Sequence, residues 1–179
     1  MLPVYTIGHS TRSIDEFAAL LGIGQVRRVV DIRTVPRSRA NPQYDKDALP
    51  ASLAERQIGY ERIAELGGLR KRERDVPAEV NGYWSNRSFH NYADYALTED
   101  FRRGLDRLLA LADDRPTAIM CAEAVWWRCH RRIVADWLIC EGREVFHLMD
   151  PARADPARLT PGAVRQDRVI VYPSPAPEA

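Results

Sequence analysis

Along this chain, short apolar runs rich in β-formers alternate with segments whose apolar positions recur at helical spacing. Residues 3–8 (PVYTIG) predict a strand that stops at Gly8-His9-Ser10. The next segment, SIDEFAALLG, predicts a helix: Ile14, Phe17 and Leu21 share a face, Ser13 and Glu16 have capping-box spacing, and Gly22 can end it. RRVVDIR reads as a buried strand ending in Asp31 and Arg33, followed by the loop TVPRSRANPQY. Asp47 is placed to cap a short helix over residues 48–57, with Pro50 tolerated in its first turn. IGYERI predicts a further strand, and residues 65–84, which carry glycines and charges without a period, read as a long surface loop.

The second half repeats the alternation. Phe101, Leu105, Leu108 and Leu109 mark an amphipathic helix capped by Thr98, and PTAIMC is the next strand. Cys129-His130-Arg131 open a helix whose inward stripe is Ile133, Trp137 and Cys140. EVFHLM and RVIVY are the last strand candidates. Strands alternating with helices imply βαβ units. The expectation is a single three-layer α/β domain over residues 1–172, with a mostly parallel central sheet flanked by helices, and a disordered proline-rich tail over 173–179.

Composition narrows the partners. At 179 residues the chain can build one full core, and its net charge of +1 supplies no global field for nucleic acid. No apolar run approaches the roughly 20 residues needed to span a bilayer, and no signal peptide opens the chain. Three cysteines, an odd and sparse set, do not form a disulfide framework, so a cytoplasmic protein with reduced thiols is expected.

In a parallel sheet, ligands bind beyond the carboxyl ends of the strands. The polar residues that follow the strand candidates are His9 and Ser10, Asp31 and Arg33, Cys121 and Glu123, and His147 and Asp150. His9 is a candidate proton donor or a satisfied histidine in a turn. Arg33, Arg37 and Arg39 can clamp an anion to which Ser38 donates, or Asp31 can consume the charge internally. Cys121 at a strand end is a candidate nucleophile, and a cysteine at a helix start beside arginine, as Cys129 is, has a lowered pKa. Glu123 can move protons or pair with Arg128 or Arg131. The aromatics Tyr44, Tyr83, Trp84, Phe89 and Tyr92 read as loop anchors before they read as base-stacking platforms.

Cysteine phosphatases and rhodanese-like sulfurtransferases separate their cysteine and arginine by five residues. Here Arg128 lies seven positions after Cys121 across a loop with two tryptophans, so neither family is assigned. No cofactor is required by the sequence. Zinc or another divalent ion on Cys121, Cys129, His130 and His9 is an alternative whose Cys-x7-Cys-His spacing matches no common structural zinc pattern. A reversible Cys121–Cys129 disulfide is another. Cys140, eleven residues past Cys129, reads as core.

The segments YTIGHSTRSIDEF, VVDIRTVPRSR and MCAEAVWWRCHRRIVADWL, in that order, resemble the bacterial and archaeal family called domain of unknown function 488, over roughly residues 3–150. The family's motif elements fall on Gly8, His9, Ser10, Asp31, Arg33, Pro36, Ser38, Cys121, Glu123, Cys129, His130 and Arg131. The resemblance implies that the three segments wall one site. The resulting expectation is a cysteine-dependent hydrolase or transferase acting on a phosphorylated or nucleotide-like anion. Cys121, Glu123 and His9 would carry the chemistry, with Ser10, Arg33, Ser38, Cys129, His130 and Arg131 around the anion. A non-enzymatic nucleic-acid or nucleotide-binding module and a metal-dependent hydrolase are the alternatives, and no membrane partner is expected.

Overall fold

The computed structural model describes residues 1–175. Its strands are β1 (Val4–Gly8), β2 (Arg28–Asp31), β3 (Gly59–Arg62), β4 (Thr117–Cys121), β5 (Val145–Asp150), β6 (Arg153–Pro156), β7 (Val164–Gln166) and β8 (Val169–Val171). Its α-helices are α1 (Ile14–Ile23), α2 (Leu49–Ala54), α3 (Arg87–Tyr95), α4 (Glu99–Asp114) and α5 (Arg131–Cys140). The central sheet has the order β3-β2-β4-β1-β5-β6. All its neighbours pair in parallel except β5 and β6. The register sets Gly8 beside Cys121 and Asp31 beside Met120, so the three central strands end at one edge.

Two apolar clusters make this a three-layer molecule. Tyr92, Phe101, Leu105, Leu108, Ile133 and Trp137 pack α3, α4 and α5 on one face. Phe17, Leu20, Leu21, Leu49 and Leu53 pack α1 and α2 on the other. β4 serves both layers: Ile119 enters the first cluster, while Ala118 and Met120 enter the second, as strand alternation requires. No helix among the described residues is long and apolar enough to cross a membrane.

The capping box of α1 is present in both directions, and Thr98 caps α4. Asp47 does not cap α2: Ala48 holds that position without a side-chain bond, and Asp47 lies in solvent near Arg37. The expected long loop contains single 3-10 turns at Ala64–Leu66 and Ala78–Asn81, anchored by buried Leu66 and Asn81. Helix α3 was not expected, because RSFHNYADY shows no plain apolar stripe. Asn86 nucleates it by accepting from the amides of Ser88 and Phe89. The expected last strand exists as β8, but it pairs with β7 in a separate hairpin. Tyr172 is fully buried, and residues 176–179 of the expected disordered tail lie outside the described residues.

Candidate functional site

β4 delivers Cys121 to the sheet edge, and the loop after it folds back through a 3-10 turn at Trp126–Arg128 before α5 begins at Arg131. This return brings the two thiols together, with Cys121 Sγ 2.7 Å from Cys129 Sγ. The backbone N–H and the Nε–H of Arg131 both point at Cys129 Sγ, each at 3.4 Å. His130 Nδ1 lies 3.5 Å from the same sulfur. Arg131 Nη2 donates to the Glu123 carbonyl at 2.6 Å. Its side chain is 0 % exposed and, among the described residues, makes no salt bridge to a carboxylate.

A guanidinium in that position cannot shed its proton, and an uncompensated buried charge is costly. The group best placed to compensate it is a thiolate. Burial pushes the Cys129 thiol up, but the Cys121 hydrogen bond, His130 and Arg131 outweigh it and hold it well below the usual thiol range. Burial and the neighbouring Cys129 sulfur push Cys121 well above that range. Of the two sulfurs, Cys129 is the one whose surroundings favour the thiolate.

His130 is fixed from three sides. Its Nε2 lies 3.1 Å from the Ile32 carbonyl, which only accepts, so Nε2 carries a proton and Nδ1 faces the sulfur. Tyr92 meets the ring edge-on, with centroids 5.1 Å apart. Gly68 lies against the imidazole so closely that a Cβ there would come within 2.4 Å of Nδ1. Gly8 plays the same part for the cysteine loop, since its Cβ would overlap the Glu123 carbonyl.

The second cluster lies beyond β2. Asp31 accepts Arg33 Nη2 at 2.6 Å and Tyr60 Oη at 2.7 Å. Arg33 also donates to the Tyr44 carbonyl and, through Nη1, to His9 Nε2 at 3.3 Å. His9 Nδ1 in turn donates to the Ser10 carbonyl at 2.8 Å, and the ring stacks on Tyr44. Burial, and then Arg33, pulls the His9 pKa down, so the ring stays neutral and braces Arg33.

A cavity of about 440 Å³ opens over the thiols. Of the residues expected in the site, Cys121, Glu123, Cys129, His130 and Arg33 line it. Arg131 supports it from below, and His9 stands behind Arg33. Ser10 turns away, its amide bonded to the Ala122 carbonyl at a left-handed φ of 48°. Ser38 accepts from the Asn41 amide and stitches its own loop. His147 lies within β5, bonded to Thr6 Oγ1 at 2.8 Å and stacked under Trp126. Asp150 is exposed and accepts from the Ala152 amide. The sequence reading missed the opposite wall, formed by Thr34, Gly68, Asn86, Ser88 and Phe89. The glycines of residues 65–84 and the Asn86 cap were the available signals.

Glu123 and Arg128 are exposed on the cavity wall. Among the described residues, no group of three or more His, Cys, Asp or Glu side chains is arranged to hold a metal ion. His9 in particular faces a guanidinium, a poor neighbour for a cation. The family model Domain of unknown function DUF488 matches residues 13–138, a span that contains the Asp31–Arg33 cluster, the opposite wall and the thiol loop. No curated protein and no solved structure matches the chain.

Proposed function

The chain belongs to the DUF488 family, and from that premise we propose that it is a cysteine-dependent hydrolase or transferase acting on a phosphorylated or nucleotide-like anion. Its nucleophile is the Cys129 thiolate. The observation that carries this reading is the fully buried Arg131, which among the described residues has no carboxylate partner and directs two donors at Cys129 Sγ beside an open cavity. In this reading Cys121 holds the thiolate by a hydrogen bond, and the nucleophile sits one loop later than the sequence suggested.

The chemistry follows from the donors. The Cys129 proton passes to His130 Nδ1 as the thiolate forms, and the sulfur lone pair then attacks the electrophilic atom of the substrate. The leaving group departs with its bonding pair and receives that proton back from His130. Water or a second acceptor then releases the thioester-like intermediate. Arg128 is the exposed cation over the cavity, whereas the charge of Arg33 is already neutralised by Asp31. A reducing cytoplasm, which keeps thiols free, suits this chemistry.

The test is the pH dependence of iodoacetamide alkylation, read residue by residue by mass spectrometry. Cys129 should react with a midpoint well below the ordinary thiol value of about 8.5, and Cys129→Ser should remove the fast phase. A fast phase on Cys121 alone, or a midpoint at the ordinary value, would overturn the assignment.

A further inference from the structure

We infer that the substrate of the thiol site is a single-stranded polynucleotide, whose backbone lies in a basic groove adjoining the cavity; this rests on reading that cavity as the reaction centre. The groove, about 740 Å³, is lined by Arg70, Lys71, Arg72, Arg74, Arg87 and Asn91, and among the described residues no acidic one lines it. Glu73 and Asp75 alternate with these cations in sequence but fall outside the lining.

The groove gathers five cations into one lining. Several exposed arginines elsewhere stand against acids, such as Arg103 on Asp100, Arg107 on Glu61 and Arg115 on Asp114, whereas among the described residues Arg27, Arg39 and Arg158 stand without one but not in a cluster. Among the described residues, none of the five groove cations makes a salt bridge. Arg70 is folded down, its guanidinium 3.7 Å over the Tyr95 ring and bonded to the Ala64, Glu65 and Gly67 carbonyls. Asn91 Nδ2 ties the Arg70 carbonyl to α3. The floor is thus fixed, while Lys71, Arg72, Arg74 and Arg87 are left exposed with like charges around them. Such an arrangement costs folding energy and is relieved by a polyanion, which also releases its counterions.

The two cavities are lined from neighbouring residues of the same two segments. Gly68 and Leu69 line the thiol cavity and the next three residues line the groove; Asn86, Ser88 and Phe89 line the cavity while Arg87 and Asn91 line the groove. A ligand in the groove therefore continues into the cavity along the same two segments. At the cavity the lining changes from cationic to apolar, with exposed Val35 and Leu69 beside Phe89. That sequence of surfaces suits a chain of phosphates leading to one planar base, since base–aromatic stacking is tolerant of sequence. A cavity of about 440 Å³ admits one nucleotide, which a paired duplex does not release without flipping it out.

The probe is a fluorescein-labelled mixed-sequence single strand of about 12 nucleotides, titrated against the full chain by anisotropy at several salt concentrations. Four free cations predict a log–log salt slope near −3, at about 0.7 per phosphate contact, and Arg72→Glu/Arg74→Glu/Arg87→Glu should lower the slope by about 2 with at least tenfold weaker binding. These side chains are exposed, so a thermal melt confirms that the variant is folded. Saturating strand should also slow Cys129 alkylation severalfold. The inference is overturned if the variant binds as well as the parent, or if bound strand leaves Cys129 alkylation untouched. It is also overturned if a duplex or inorganic polyphosphate matches the strand in affinity and protection. Cys129 alkylation without strand tests the thiol reading alone, so the two failures are distinguishable.

Discussion

Arg33 and Arg131 lie at the same sheet edge and are almost equally inaccessible, at 5 % and 0 % exposure, yet they do different work. Arg33 faces a carboxylate that ionises readily, Asp31, and spends its remaining donors on the Tyr44 carbonyl and His9. The result is a neutralised, inert brace. Arg131 faces thiols, which keep their proton until about pH 8.5 in water. Neutralising this arginine requires pulling a proton from sulfur, and a nucleophile is the by-product. A buried arginine thus reports structure or chemistry according to the proton affinity of the group that answers its charge.

The largest effect expected from this contrast is on the braced side. Asp31→Asn leaves Arg33 charged and unpaired in the interior and also weakens the Tyr60 bond. Urea denaturation should show a loss of about 3–5 kcal/mol, the usual cost of stranding one half of a buried pair. A loss below about 1 kcal/mol would mean that Arg33 finds water or another anion.

Next comes acidification on the Arg131 side. Burial first, and then the Arg131 charge, pushes His147 down to about 4. An unfolded histidine titrates near 6.5, so as pH falls below that value the unfolded chain takes up a proton that the native chain refuses. Stability present above pH 6.5 is therefore lost progressively towards pH 4, by about 3 kcal/mol. Chemical denaturation across that window measures it, and His147→Gln should flatten the slope.

Arg131→Met sharpens the comparison directly, because it removes the charge without adding a polar group. The Cys129 alkylation midpoint should rise towards the ordinary thiol value, with slower alkylation below it. The Cys129 pKa is depressed in the native state, so its stabilisation is full above the unfolded thiol value and fades as pH falls through the native one. That pH dependence should disappear in the variant. An unchanged midpoint would transfer the role to His130. The smallest change expected is Tyr60→Phe, which removes one of the donors to Asp31 and should cost about 1 kcal/mol with thiol reactivity unaltered.

Much of the fold was legible because periodicity is local. The capping box at Ser13 and Glu16, the Thr98 cap and the apolar strand runs each declare themselves within a few residues. Helix α3 did not, since its buried face is built from Tyr92, Ala93 and Tyr95 and is apolar only once packed against α4 and α5. In the site, the thiol loop and the Asp31–Arg33 segment were visible as unusual clusters at strand ends. The roles of His9, Ser10 and Ser38 were not, because each satisfies its hydrogen bonds through backbone groups or a neutral brace that spacing does not reveal.

By itself the sequence determined the alternation of strands and helices, the edge at which reactive groups collect, and which side chains are available there. The tertiary structure decided which of them answer one another. His130 meets Ile32 across 98 residues, and Gly68 leaves room for that histidine only once the 65–84 loop is folded over it. Asp31 and Arg33 are close enough in sequence for their pairing to be foreseen, but only the fold decides that, among the described residues, no carboxylate reaches Arg131. The energy of a buried charge depends on what surrounds it in space, and that is the property a linear pattern does not carry.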